Sequence, residues 1–272
     1  MGPIGVFDSG YGGLTILAEL REKLPEYDYL YLGDNARAPY GIRSFDVVYE
    51  FTLQAVKELF DRGCHLVILA CNTASAKALR TIQQKDLLTI APNKRVLGVI
   101  RPSAEIIGSI TRSKHIGVLA TPGTVISNSY VIEIGEFSPE SKVVQHACPM
   151  WVPLIENNEH DTEAGREFIR KDIQELLRKD NQIDTLVLGC THYPVLKAYI
   201  ESIVPTHVKV VAQGGIVADS LVSYLDRHPE IEANCLKKGN VSYLTSENTY
   251  EFDQKASLFV DDVVKSSHVS LH

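Results

Sequence analysis

Short apolar runs rich in β-branched residues recur along the chain: IGVF (4–7), YLYL (29–32), LVILA (66–70), VLGVI (96–100), IGVLA (116–120), VVQHA (143–147), TLVLG (185–189) and HVKVVA (207–212). Runs of this length bounded by polar turn residues predict buried strands. Between them, Leu14–Leu24, Phe45–Arg62 and Glu163–Lys179 carry apolar positions at helical spacing. Strands alternating with helices predict parallel sheets built from right-handed βαβ crossovers, an α/β fold. The stretch QQKDLLTIAPNKR (83–95) is polar and proline-marked and reads as a surface excursion.

The pattern repeats. IGVFDS (4–9) matches IGVLAT (116–121), and LVILACNTAS (66–75) matches TLVLGCTHYP (185–194) at nearly the same offset. Two copies of a unit this long indicate a duplicated domain. The simplest division places residues 1–97 plus 208–272 in a first α/β domain and 98–207 in a second. The tail then returns to the first domain through HVKVVA and a helix around Gly215–Leu225. This predicts two pseudo-symmetric open parallel sheets with a site in the cleft between them.

Composition narrows the classes. The 272 residues are 44% hydrophobic and 22% charged with a net charge of −7, a globular balance with no basic face for a nucleic-acid backbone. No run approaches the ~18 apolar residues of a membrane span. The N-terminus enters a strand without a basic leader or cleavage motif, so no signal peptide is predicted. Five scattered cysteines, none in a CxxC pair, indicate reduced thiols and a cytoplasmic location.

The chemistry gathers at the strand ends. FDSGYGG (7–13) offers close-approach glycines and N–H groups suited to an anion, although Asp8 and Ser9 also suit a plain capped turn. It is neither a GxGxxG fingerprint nor a P-loop. GDNARAPYG (33–41) ends in Tyr40 and Gly41, which suit a surface turn or a loop closing on a ligand. Cys71-Asn72-Thr73 and Cys190-Thr191-His192 each set a thiol beside hydrogen-bonding side chains. Either cysteine alone reads as a packed strand end, but their matched places in the repeat point to a pair acting from two sides. A Cys–His hydrolase built on Cys190 and His192 leaves Cys71 unexplained. His146 with Cys148, and Cys190 with His192, lack ordinary zinc spacing, so no metal is expected. Cys64, Cys148 and Cys235 read as packing residues.

FDSGYGGL, YLGDNARAPYG, ACNTAS, LGVIRP, GVLATPGTVISNSY, ACPMWVPLIE and LGCTHYP stand in the order and spacing of bacterial glutamate racemases, and SYLTSENTYEFDQKASLFVDD (242–262) extends the match. The chain resembles that family over nearly its whole length. The resemblance implies cofactor-independent interconversion of L- and D-glutamate, supplying D-glutamate for peptidoglycan. It implies Cys71 and Cys190 as the catalytic pair, the first acting on D-glutamate and the second on L-glutamate, assisted by Asp8 and His192. Asp8, Ser9, Tyr40, Gly41, Asn72, Thr73, Thr191 and His192 match substrate-contact positions, and Glu156 and Thr121 fall in matching motifs. The implied partner is small-molecule glutamate, with no nucleic acid or membrane, and a homodimer is compatible.

Racemisation of aspartate or another acidic amino acid is the alternative within the class, and a non-catalytic amino-acid-binding protein the alternative outside it. The chain departs from the pattern in three places: Gln213 and Gly214 where an acidic-serine-glycine turn is common, Arg101 and Ser103 where glutamate and glycine are more usual, and a longer 83–95 stretch. None touches the cysteine motifs.

Overall fold

The computed structural model describes residues 1–260 and 263–272. Asp261 and Asp262, the end of the SYLTSENTYEFDQKASLFVDD match, lie outside the described residues. In chain order the strands are β1 (Ile4–Asp8), β2 (Tyr29–Gly33), β3 (Leu66–Leu69), β4 (Arg95–Gly98), β5 (His115–Ala120), β6 (Lys142–Ala147), β7 (Thr185–Gly189), β8 (Lys209–Val211), β9 (Val241–Thr245) and β10 (Ser266–His268). They form two sheets, ordered β10-β9-β2-β1-β3-β4 and β6-β5-β7-β8, and every pairing is parallel. The α/β class and the two-sheet plan read from the sequence are therefore present. Strands β1, β2, β3 and β7 are buried at every position, as expected where helices cover both faces of a parallel sheet.

The repeat is visible in the sheet orders, since β2-β1-β3-β4 and β6-β5-β7-β8 follow the same path. It also corrects one expectation. HVKVVA does not return to the first sheet. Its β8 pairs with β7 (Thr185↔Lys209, Val187↔Val211) and occupies the place in the second sheet that β4 holds in the first. The reason is the short helix Lys197–Ile203 that precedes it. A compact right-handed crossover from β7 lands on the adjacent edge of the same sheet. The return to the first sheet is made by the helix Gly214–Arg227, which packs along Gly13–Lys23, and then by β9 against β2.

The 83–95 stretch runs over the surface as its composition predicts, and it is helical over its first half. Residues 82–90 continue a helical path through a π-turn (Ile82–Asp86) and the turn Leu87–Ile90, with Ile82 and Leu87 buried. Gln83 donates to the Val96 carbonyl at 2.7 Å, tying the segment to β4. The apolar residues five apart face inward through the wider turn, so the polar residues between them coat its outer side. Elsewhere helix starts carry side-chain caps: Ser44, Thr121 and Thr162 accept from Val47, Thr124 and Gly165 N–H groups.

One apolar cluster runs from the first sheet (Ile4, Val6, Ile68) into the second (Leu119, Leu186, Leu188). The loops after β1, β2, β3, β5 and β7 leave the C-terminal strand ends, where open α/β sheets hold ligands.

Candidate active site

Asp8 is the last residue of β1 and is fully buried. One carboxylate oxygen accepts the Gly10 N–H at 2.9 Å, and the other accepts the Thr191 hydroxyl at 3.4 Å. Burial pushes its pKa up, and the charge of His192 partly offsets that rise. The Ser9 hydroxyl accepts from the Cys71 thiol at 3.4 Å. Cys71 caps the helix Asn72–Lys77, its sulfur accepting the Ala74 N–H at 3.4 Å. Burial, followed by the carboxylate of Asp8, pushes the Cys71 thiol up to about 12.

The second thiol has a different neighbour. Cys190 follows β7, and its sulfur lies 4.0 Å from Nδ1 of His192, whose Nε2 lies 2.9 Å from a carboxylate oxygen of Glu156. Burial alone would lower the pKa of His192, but the hydrogen bonds and charges of Cys190 and Glu156 outweigh it and raise it to about 10. Cys71 thus sits beside a carboxylate and Cys190 beside an imidazolium. Because the folded-state pKa of His192 lies above the usual histidine value of about 6.5, its proton stabilises the fold fully below that value. The contribution is lost as pH rises through about 10. Urea midpoints of the wild type and His192→Gln, measured from pH 6 to 11, should converge across that window; a constant gap would contradict the assignment.

The loops of the two sheets interlock. A Cβ on Gly12 would lie 2.3 Å from His192 Nδ1 and 2.3 Å from Thr191 Oγ1, so only glycine permits this approach. The Thr15 hydroxyl donates to the Thr191 carbonyl at 3.0 Å, and Thr73 and Thr121 share a hydroxyl bond of 2.9 Å. Phe259 sets its ring edge-on to His192, with centroids 5.2 Å apart.

Eight of the ten predicted site residues therefore meet through side chains or close packing around the two cysteines: Asp8, Ser9, Cys71, Thr73, Cys190, Thr191 and His192 directly, and Gly41 against Thr121. Tyr40 is placed differently. Its phenol is buried and donates to Asp34, so the hydroxyl is already engaged away from the thiols. The side chain of Asn72 is also committed, donating to Gln213 at 2.8 Å and accepting from Tyr130 at 2.8 Å. Its N–H and that of Thr73 belong to the first helical turn and have no partner within the helix.

His146, Cys148 and Asp172 come together although the sequence spacing argued against it. Lys179 holds His146 Nδ1 at 3.1 Å, His146 Nε2 lies 3.0 Å from Asp172, and the Trp151 indole donates to Asp172 at 2.7 Å. The cluster props Trp151 against Tyr193, ring centroids 4.8 Å apart, below the Cys190 loop. A cavity of about 680 Å³ opens elsewhere, between the helices Ile100–Ile110, Ser129–Phe137 and Gly214–Arg227, and none of the predicted site residues lines it.

With a thiol at equivalent strand ends of its two parallel sheets, the chain has the fold of one class of enzymes, the racemases. The profile of the Asp/Glu/hydantoin racemase family matches residues 14–220. The chain is 40% identical over 267 residues to the glutamate racemase of Ruegeria sp. (strain TM1040), covering 94% of this chain and 96% of that one. It superposes on the glutamate racemase isoform RacE1 of Bacillus anthracis with a TM-score of 0.89 at 32% identity, covering 99% and 98% of the two chains. The glutamate racemase of Francisella tularensis in complex with D-glutamate gives 0.85 at 32% identity, covering 99% and 97%. The chain belongs to the glutamate racemase family.

Proposed function

We propose that this protein interconverts L- and D-glutamate without a cofactor, with Cys190 and Cys71 as the two acid–base groups. The observation that carries the reading is the unequal pair: a thiol beside a cation and a thiol beside a carboxylate, at matching strand ends. In the direction from L to D, the Cys190 thiolate, with the His192 imidazolium beside it, takes the α-proton and becomes a thiol. The Cys71 thiol gives its proton to the opposite face of Cα and becomes a thiolate. Asp8, whose pKa burial raises, lies beside Cys71, where its carboxylate can take the thiol's proton when Cys71 must start as the base on D-glutamate. Glu156 holds the imidazole in orientation.

General acid–base catalysis supplies only about 10²–10⁴-fold. The rest of the barrier must fall through donors already aimed at the carboxylates of the carbanion and through exclusion of water. The first-turn N–H groups of Asn72 and Thr73, the hydroxyls of Ser9 and Thr191, and the main chain at Gly41 serve that role. The cellular role follows as supply of D-glutamate for peptidoglycan in the cytoplasm. Among the described residues no helix is long and apolar enough to cross a membrane. A homodimer is the accompanying expectation for the assembly, checked by sedimentation.

The test is incubation with L-glutamate, and separately L-aspartate, in D2O without pyridoxal phosphate. Loss of optical rotation with deuterium at Cα is expected for glutamate. The same result with aspartate alone would move the substrate, and no exchange with either would overturn the reading. Substrates one methylene apart differ by only ~1–3 kcal/mol in a fitted pocket, so relative rates must be measured.

A further inference from the structure

Two of the chain's departures from the family pattern, Gln213 and Ser103, touch each other. The Gln213 side chain is 2% exposed. Its amide nitrogen donates to the Val99 carbonyl at 3.1 Å and to the Ser103 hydroxyl at 2.9 Å, and its oxygen accepts from Asn72 at 2.8 Å. The direction of these bonds is forced. A main-chain carbonyl can only accept, so the nitrogen of Gln213 must face Val99 and its oxygen must face Asn72. Asn72 then donates to Gln213, and its own oxygen is left to accept the Tyr130 hydroxyl at 2.8 Å. The ring of Tyr130 is fully buried and lies flush on the backbone of Gly189, where a Cβ would come within 3.0 Å of it.

Asn72 follows Cys71, and Gly189 precedes Cys190. The line Gln213–Asn72–Tyr130–Gly189 therefore joins the chain beside one thiol to the chain beside the other, and Gln213 anchors it to the start of the helix Ile100–Ile110. The Tyr130 phenol also meets the Gln213 side chain, so the three side chains form one connected network. We propose that Gln213 and Tyr130 are positioning residues that act through Asn72 to set the gap between the two thiols. This inference rests on the two-thiol reading above. A ruler is needed because the proton donor and acceptor must lie on opposite faces of one carbon, at near-contact distance from it, and an error of about 1 Å at such a centre costs on the order of 10²-fold.

The experiment compares the wild type, Tyr130→Phe, Gln213→Met and the double variant, using L- and D-glutamate, with thermal melting followed in parallel so that rates refer to folded protein. The wild type must racemise glutamate; if it does not, the functional reading fails and not this one. Given an active wild type, each single variant should lose about tenfold or more in kcat with KM within about twofold, equally from either enantiomer. The double variant should lose little more than the worse single variant, because both act through one amide. Wild-type kcat in folded Tyr130→Phe or Gln213→Met, or losses that multiply in the double variant, would overturn the proposal. Should Gln213→Met melt below the assay temperature, Ser103→Ala gives the same reading: it removes one of the two bonds that fix the Gln213 nitrogen, and an intermediate loss in kcat at unchanged KM is expected. Unchanged kcat there would count against the ruler.

Discussion

A Cys71→Ser variant is expected to lose racemisation by about 10²–10⁴-fold while still washing deuterium into L-glutamate, and Cys190→Ser to do the converse with D-glutamate. The asymmetry follows from the geometry. Each sulfur serves one face of Cα, so removing one leaves the other able to take a proton, exchange it with D2O and return a deuteron to the same face. A serine hydroxyl is too weak an acid to finish the transfer at the far face. Asp8 and Ser9 remain beside position 71, and His192 remains beside position 190, so neither substitution removes the surviving thiol's partner. Mass spectrometry of recovered substrate, with chiral chromatography of the product, reads both quantities. Exchange of both enantiomers by either variant would show that one residue serves both faces and would defeat the two-thiol mechanism. Cys235→Ser, at a buried cysteine whose sulfur donates to the Ile231 carbonyl far from the two thiols in sequence, should change neither quantity.

Gly12→Ala is expected to be the most damaging substitution that touches neither thiol. The added methyl would overlap Nδ1 of His192 and the hydroxyl of Thr191, both at 2.3 Å, and the Cε1 atom of His192 at 2.7 Å. His192 cannot swing aside cheaply, because Glu156 holds its far nitrogen and Phe259 lies against its ring. The overlap is relieved only by turning the imidazole away from Cys190 or by spreading the two sheets. Turning the imidazole takes away the partner of the Cys190 thiol, and spreading the sheets moves a thiol that must lie within contact of Cα, so a loss of about 10²-fold in kcat/KM is expected. Spreading the sheets would also raise KM, whereas turning the imidazole would shift the alkaline limb of the pH–rate profile toward lower pH. Wild-type rates in Gly12→Ala would show that the close approach of these loops is not needed.

Much of this was legible in the sequence, for physical reasons that differ from place to place. The strands β1, β3, β5 and β7 are continuous apolar runs buried on both faces, so the pattern alone finds them. The thiols were legible because a repeat places them twice. Strands β9 and β10 were not. VSYLT mixes polar and apolar residues although it lies inside the sheet, SSH is wholly polar at the sheet's edge, and only their pairing partners make them strands. HVKVVA was recognised as a strand but assigned to the wrong sheet, because an apolar run carries no record of its neighbour. The roles of Tyr40 and Asn72 were half legible. Their places near the site follow from the motifs, but the bonds that occupy their side chains come from Asp34, Tyr130 and Gln213, the latter two 58 and 141 residues from Asn72 in sequence. Glu156 was in view only through its motif, and the structure gives it a partner in His192. The joining of His146 and Cys148 to Asp172 was missed because the third member lies on a helix 26 residues beyond His146.

Two of the hydroxyl bonds that cross the cleft, Thr15 to Thr191 and Thr73 to Thr121, bear on how glutamate gets in and out. Neutral hydrogen bonds that water can replace are worth about 1 kcal/mol each. Two of them behave as a weak latch: considered alone, they would leave the two sheets parted in a few per cent of molecules at any instant. Where glutamate enters by parting the sheets, each turnover undoes that latch twice, once to admit one enantiomer and once to release its mirror image. Both hands of glutamate therefore pass the same gate, and a slow gate would limit the forward and reverse rates together, whatever the difference between the thiols behind it.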